Sequence, residues 1–172
     1  MKSERIQKLT LAGAFAAMTA VATLLIQIPS PTKGYINTGD VFVNLSAWVL
    51  GPFYGSAAAG IGSAMADLIS GYTVYAPATL LIKAVMAVVS YFVYQRFAKN
   101  RKSVFARLAG AVAAETVMIA GYAVFAGLLY GTVSSAILSV PENLIQGVFG
   151  AAVSSVLYEA VRRRSSKMQA LL

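Results

Sequence analysis

Apolar residues run almost unbroken through this chain, in long stretches interrupted by short polar segments rich in glycine and proline. Six stretches stand out, at about 8–28, 38–51, 53–70, 77–95, 105–129 and 142–161. A helix crossing a bilayer needs roughly 20 apolar residues, and five of the six approach or exceed that length. The second does not: fourteen residues of helix rise only about 21 Å against a hydrocarbon core of about 30 Å. Lys2, Arg5 and Lys8 ahead of the first stretch imitate a signal peptide. That stretch, Leu9 to Ile28, outruns a signal core of about 7–15 residues and has no small-residue cleavage site before polar sequence, so a retained helix is expected.

Charge placement fixes the expected topology. Twelve of the 14 Lys and Arg fall in three clusters: Lys2, Arg5 and Lys8; Arg96, Lys99, Arg101, Lys102 and Arg107; and Arg162, Arg163, Arg164 and Lys167. Basic loops stay on the cytoplasmic side, so an even number of crossings must separate neighbouring clusters. Two spans separate the last pair and four the first, which requires a helical hairpin over 38–70 that turns at Leu50-Gly-Pro-Phe-Tyr-Gly55, with Gly51-Pro52 as the breaker. The expectation is an all-α integral membrane protein: one domain over 1–172, six transmembrane helices, both termini cytoplasmic. Pro29–Gly39, Ser70–Ala76 and Tyr130–Pro141 then lie outside, with Pro77 and Pro141 at helix starts and Thr38 or Asp40 as a cap.

Composition agrees. The 172 residues are 58% hydrophobic and 12% charged, with mean hydropathy +0.71, where a soluble domain carries about a quarter charged residues. The net charge of +8 resides in loop clusters, the pattern of a polytopic membrane protein and not of a nucleic-acid binder. With no Cys and no His, thiolate nucleophiles, disulfides, zinc sites and histidine acid–base chemistry are excluded. No catalytic set is evident, and Gly60-Ile-Gly62 lacks the Lys-Ser/Thr that completes a phosphate loop. No enzyme activity, cofactor or metal is expected.

The remaining polar groups gather near the outer side. Charges at membrane depth cost about 2.5–3.5 kcal/mol each on insertion scales and persist where they face a protein interior or cavity; Asp40, Asp67, Lys83, Glu115 and Glu142 are the candidates. Asp67 and Lys83 flank one turn, as an ion pair bracing the hairpin or as ligand contacts. Tyr35, Asn37, Tyr72 and Tyr75 offer aromatic walls and hydrogen bonds to a flat heterocycle, although tyrosine also anchors any membrane protein at its interface. Asn143 and Gln146, three apart on one helix face, point inward, toward a ligand or another helix. Glu115 is expected to bond a tyrosine hydroxyl, with a protonatable transport role as the alternative, and Trp48 to pack. Ala12, Ala16 and Ala20 make a small-residue stripe for close helix contact, within the chain or with a partner.

The segment from Gly34 to Lys83 carries Gly34-Tyr-Ile-Asn-Thr-Gly-Asp40, Leu50-Gly-Pro52, Gly62-Ser-Ala-Met-Ala-Asp67, Gly71-Tyr72 and Ala76-Pro-Ala-Thr79 with Lys83. It resembles the substrate-binding S components of energy-coupling factor (ECF) transporters, in the branch labelled riboflavin transporter S component. The resemblance covers about fifty residues closely and the whole chain in size. It implies a subunit of the bacterial plasma membrane that binds a small water-soluble vitamin or precursor near the outer face: riboflavin, a pyridoxine-type or a hydroxymethylpyrimidine-type compound. It also implies docking of the Ala12, Ala16 and Ala20 stripe on a transmembrane T component driven by two cytoplasmic ATPases. The site set is then Tyr35, Asn37, Asp40, Asp67, Tyr72, Tyr75, Lys83, Asn143 and Gln146. A stand-alone proton-coupled carrier or channel for a small metabolite is the alternative.

Overall fold

The computed structural model describes residues 2–30, 34–98 and 103–164; Pro31, Lys99, Arg101, Lys102 and Lys167 lie outside the described residues. In chain order the elements are α1 (Lys2–Leu25), β1 (Gln27–Pro29), β2 (Tyr35–Asn37), α2 (Asp40–Ile69), α3 (Ala76–Phe97), α4 (Val104–Tyr130) and α5 (Val133–Arg164). Neighbouring helices pack in sequence order, and α5 returns onto α2.

Four helices, α1, α3, α4 and α5, are long and apolar enough to cross a membrane by length and composition. In their most apolar stretches only 22–39% of residues are buried inside the chain, and Leu25, Leu81, Leu128 and Val156 are each more than 60% exposed. That much outward apolar surface needs lipid as its solvent.

α2 is not one straight rod. Gly51 leaves the helix with φ 80°, a conformation open to glycine at no steric cost, and Pro52 follows without a backbone donor. A Cβ on Gly55 would lie 2.7 Å from the Ser46 carbonyl oxygen and 2.9 Å from Ala47 Cα, and the Ser46 hydroxyl donates to the Gly55 carbonyl at 3.1 Å. Along an unbroken helix, residues 47 and 55 would stand about 12 Å apart. The arms 40–50 and 52–69 therefore fold back on each other, and Asp40 and Asp67 finish at the same end of the molecule.

Several expectations require correction. Tyr130–Pro141 is not an outer loop: Gly131, with φ 67°, caps α4, and α5 starts at Val133 with Pro141 inside it. A proline within a helix forfeits one hydrogen bond and can be carried if the helix is packed on both sides of it. Pro77 does sit at the start of its helix. Neither Thr38 nor Asp40 caps α2, whose N-cap is Gly39 without a side-chain bond; the Thr38 hydroxyl instead reaches the Ala22 carbonyl at 2.8 Å, and Asp40 turns inward. The first loop is a two-stranded antiparallel ribbon pairing Gln27 with Asn37 and Pro29 with Tyr35, a lid that helical periodicity could not reveal.

The alanine stripe of α1 is likewise reassigned. Ala12 and Ala20 are buried within the chain, Ala12 against Leu50 and Ala58. A Cβ on Gly62 would meet the Ala16 carbonyl at 2.4 Å, so α1 and α2 touch backbone to backbone. Ala12 and Ala20 pack against the chain itself and Ala16 is half-buried. The small residues that α1 leaves exposed are Gly13, Ala14 and Ala17.

Candidate functional site

Beneath the ribbon, side chains from every element except α1 and β1 converge on a cleft of about 470 Å³, counted with its open mouth. Its walls are Gly34, Tyr35 and Asn37 from the lid, Asp67 at the end of α2, Tyr72 and Tyr75 from the following turn, Thr79, Tyr122 and Ala126, and Ser139, Glu142, Asn143 and Gln146 of α5. The last four stand at i, i+3, i+4 and i+7, one stripe of a helix. Tyr35 and Tyr72 rings lie 4.7 Å apart, Tyr72 and Tyr75 6.2 Å, and Tyr75 and Phe125 5.2 Å, forming a continuous aromatic wall.

The lid is tied down by polar contacts. The Tyr35 hydroxyl donates to Asp67 Oδ1, and Gln27 Nε2 donates to Ser70 Oγ at 2.7 Å. Burial and the adjacent Asp67 carboxyl hold the Tyr35 phenol well above its ordinary pKa, so it stays a donor at all physiological pH. Asn37 donates to Gln146 Oε1 through its backbone N–H at 2.8 Å and its side-chain amide at 3.2 Å.

Under the cleft floor lies a second polar layer. Gln146 Nε2 donates to Asp40 Oδ2 at 2.5 Å, and Lys83 donates to Asp40 Oδ1. Both charged side chains are almost fully buried. Lys83 Nζ also sits 5.5 Å from the Tyr122 ring centroid, a cation–π contact. One turn deeper, Asn44 Nδ2 donates to Glu115 Oε1 at 3.0 Å while Asn44 Oδ1 accepts from the Ser90 hydroxyl at 2.8 Å. Gly150 makes room for this layer, since a Cβ there would lie 2.9 Å from Glu115 Oε1 and 3.0 Å from Asp40 Cβ.

Of the nine residues singled out from sequence, Tyr35, Asn37, Asp67, Tyr72, Tyr75, Asn143 and Gln146 line the cleft. Asp40 and Lys83 do not; they pair with each other in the layer below. That corrects the Asp67–Lys83 pairing, because the reversal of α2 brings Asp40 to the lysine while Tyr35 takes Asp67. Glu115 bonds an asparagine and not a tyrosine hydroxyl. Trp48 packs as expected, against Tyr94 and Tyr158. Thr79, Tyr122 and Ser139 were missed as cleft residues, and Glu142 was noted only for its charge. Thr79 and Ser139 carried a usable signal, each one helical turn from a residue already chosen, Lys83 and Asn143.

Residues 3–163 match the family described as ECF-type riboflavin transporter, S component. A relative from Pyrococcus woesei, known only as a protein in the gap 3' region, is 35% identical over 145 residues, 84% of this chain and 94% of that one. The thiamine precursor transporter HmpT of Lactococcus lactis subsp. cremoris is 26% identical over 165 residues, 95% of this chain and 92% of its own. A solved S component of a bacterial ECF transporter superposes with a TM-score of 0.70 at 20% identity, over 97% of this chain and all of that one, which shows a common fold. The lipid-facing helices, the lidded cleft and a family match over nearly the whole length lead to one assignment: this is a membrane protein of the ECF-type riboflavin transporter S component family, and so a transporter subunit and not an enzyme.

Proposed function

We propose that this chain captures a small water-soluble vitamin or vitamin precursor in the lidded cleft, at the extracellular face, and delivers it to a transmembrane T component energised by two cytoplasmic ATPases. The convergence carries the reading: seven side chains chosen from sequence meet around one cleft under the Tyr35–Asn37 strand. Tyr35, Asn37, Asp67, Tyr72, Tyr75, Asn143 and Gln146 are its ligand-binding residues. Asp40 and Lys83 act from below, holding Gln146 in place.

In this reading the two arms of α2 each span the membrane, which gives six crossings and cytoplasmic termini. The end bearing Arg96, Arg107, Arg162 and Arg163 then faces the cytoplasm, as the bias of basic residues requires. Gly13, Ala14 and Ala17 replace the alanine stripe as the small-residue face that meets the T component; a Cβ on Gly13 would meet nothing within 4 Å, so that face is open for close helix contact.

The test is native mass spectrometry of the detergent-purified chain, followed by titration with B vitamins and their precursors without ATP. One bound molecule per chain is expected. If no compound binds at up to millimolar concentration and none co-purifies, capture is refuted. Uptake by the isolated chain in liposomes, abolished by an uncoupler, would instead establish the proton-coupled carrier.

A further inference from the structure

Below the cleft, four helices meet around one more carboxyl. Glu115 of α4 is 4% exposed. Its Oε1 accepts from Asn44, and its Oε2 is buried without a hydrogen-bond partner among the described residues. Asp40 of α2 and Lys83 of α3 are the charged side chains beside it, and α5 meets it with Gly147 and Gly150. Lys83 already donates to Asp40, whose other oxygen takes Gln146. The layer thus holds two carboxyls for one cation. An ionised carboxyl without its own cation is far costlier to bury than a neutral one, and such a group takes up a proton instead. Beside Glu115 a hollow of about 360 Å³, counted with its open mouth, separates α4 from α5. Val112, Thr116, Leu144 and Val148 border it with Gly147. Val112, Leu144 and Val148 are each more than half exposed, so the mouth opens on the lipid-facing perimeter and not on the lidded cleft. A Cβ on Gly147 would stand 3.5 Å from Glu115 Oε2; the missing side chain leaves that oxygen beside the hollow.

We infer that Glu115 is a proton-binding site inside the membrane: a neutral carboxyl, reached from the lipid through the α4–α5 hollow, whose proton leaves Lys83 undivided to Asp40. This goes beyond vitamin capture and does not depend on it. The proton bears on the lid through named bonds. Asn44 donates both to Glu115 Oε1 and to the Asp40 carbonyl, and Gln146 bridges Asp40 to Asn37 of β2. Loss of the proton sets a second carboxylate beside Asp40. Like charges repel and opposite charges attract more strongly at low dielectric, so this carboxylate competes for Lys83 and loosens the floor under Gln146. Asp40 faces Glu115 from α2 and Lys83 from α3, with the Tyr122 ring of α4 against the lysine. Among its described residues, α5 brings no charged group to that level.

The probe is dicyclohexylcarbodiimide, an apolar reagent that dissolves in the bilayer. A carboxyl oxygen bonds its central carbon while the carboxyl proton passes to one of its nitrogens, so the protonated acid is the form that reacts and nothing leaves. The full chain in liposomes at neutral pH should carry this adduct at Glu115, located by peptide mass mapping among the six Asp and Glu residues. A cationic, water-soluble carbodiimide, which the bilayer core excludes, should label Glu115 at least about tenfold less. Glu115→Gln has the shape of the neutral acid and keeps an acceptor for Asn44. Its thermal transition should match that of wild type at neutral pH, and it should resist the decline expected of wild type as the medium is made alkaline. An unlabelled Glu115, or equal labelling by the water-soluble reagent, overturns the inference without any variant. So does a Glu115→Gln chain that melts well below wild type at neutral pH, or an alkaline decline that runs parallel in both. Vitamin capture stands in each of these cases, because its own test is ligand binding.

Discussion

The two ends of the molecule handle charge in opposite ways. At the arginine end, Glu159 accepts from Arg162 at 2.7 and 3.2 Å, from Arg163 at 2.7 Å and from Arg107 at 3.2 Å, so both carboxyl oxygens have donors. Behind it Trp48, Tyr94 and Tyr158 fill the space with rings. At the lid end, among the described residues, carboxyls outnumber cations: Asp40 has Lys83, Asp67 accepts from Tyr35, and Glu115 accepts from Asn44. The arginine-end cluster is a brace of charges paired with one another. At the lid end Asp67 and Glu142 instead border a cleft lined by tyrosines and amides. The same residue types therefore give a closed ion cluster at one end and a polar-lined cleft at the other.

Side-specific labelling is the sharpest way to break this comparison. The chain has no native cysteine, so Val74→Cys in the lid-end turn and Val104→Cys at the arginine end, both exposed, can be probed singly. In intact cells a membrane-impermeant maleimide should label the first and not the second; the reverse pattern would invert the proposed topology. The next largest effect is expected from Lys83→Met. It strands the buried Asp40 carboxylate, a loss of about 3–5 kcal/mol, read as a lowered thermal transition or loss of monodisperse protein. The double variant Lys83→Met with Asp40→Leu should recover most of that loss; if it recovers none, the ion pair is not the cause. The smallest effect belongs to Glu159→Gln. Glu159 is part-exposed and screened by salt, and Gln keeps an acceptor for the buried Arg107, so the thermal transition should move slightly, less so at high ionic strength, with ligand affinity unchanged. A loss of affinity there would erase the distinction between the two ends.

Which parts were legible follows from how far each inference had to reach. The break at Gly51-Pro52 was visible because both residues act locally, through φ and a missing donor. Helix 142–161 was drawn too short because Pro141 was taken as a start signal; that residue's local cost is overridden by packing along the rest of α5. The ribbon over 27–37 was unreadable, since two three-residue strands carry no periodicity and are held by Gln27, Thr38 and Asn37 reaching the turn after α2, α1 and α5. Lys83 was read as a partner of Asp67 or a ligand contact, yet it pairs with Asp40 below the cleft. Proximity in sequence favoured Asp67, and the reversal of α2 is what placed Asp40 there instead.

Taken alone, the chain dictates lipid as solvent, the helical spans, the basic side and the inventory of polar groups, because these follow from composition and from spacing within single helices. Tertiary structure alone decides which polar group meets which, because partners such as Asn37 and Gln146 lie 109 residues apart. It also decides which face of α1 is spent on α2 and which stays open. Which donor reaches the Asp67 carboxyl is likewise a property of that three-dimensional pairing, since Tyr35 lies 32 residues away from it.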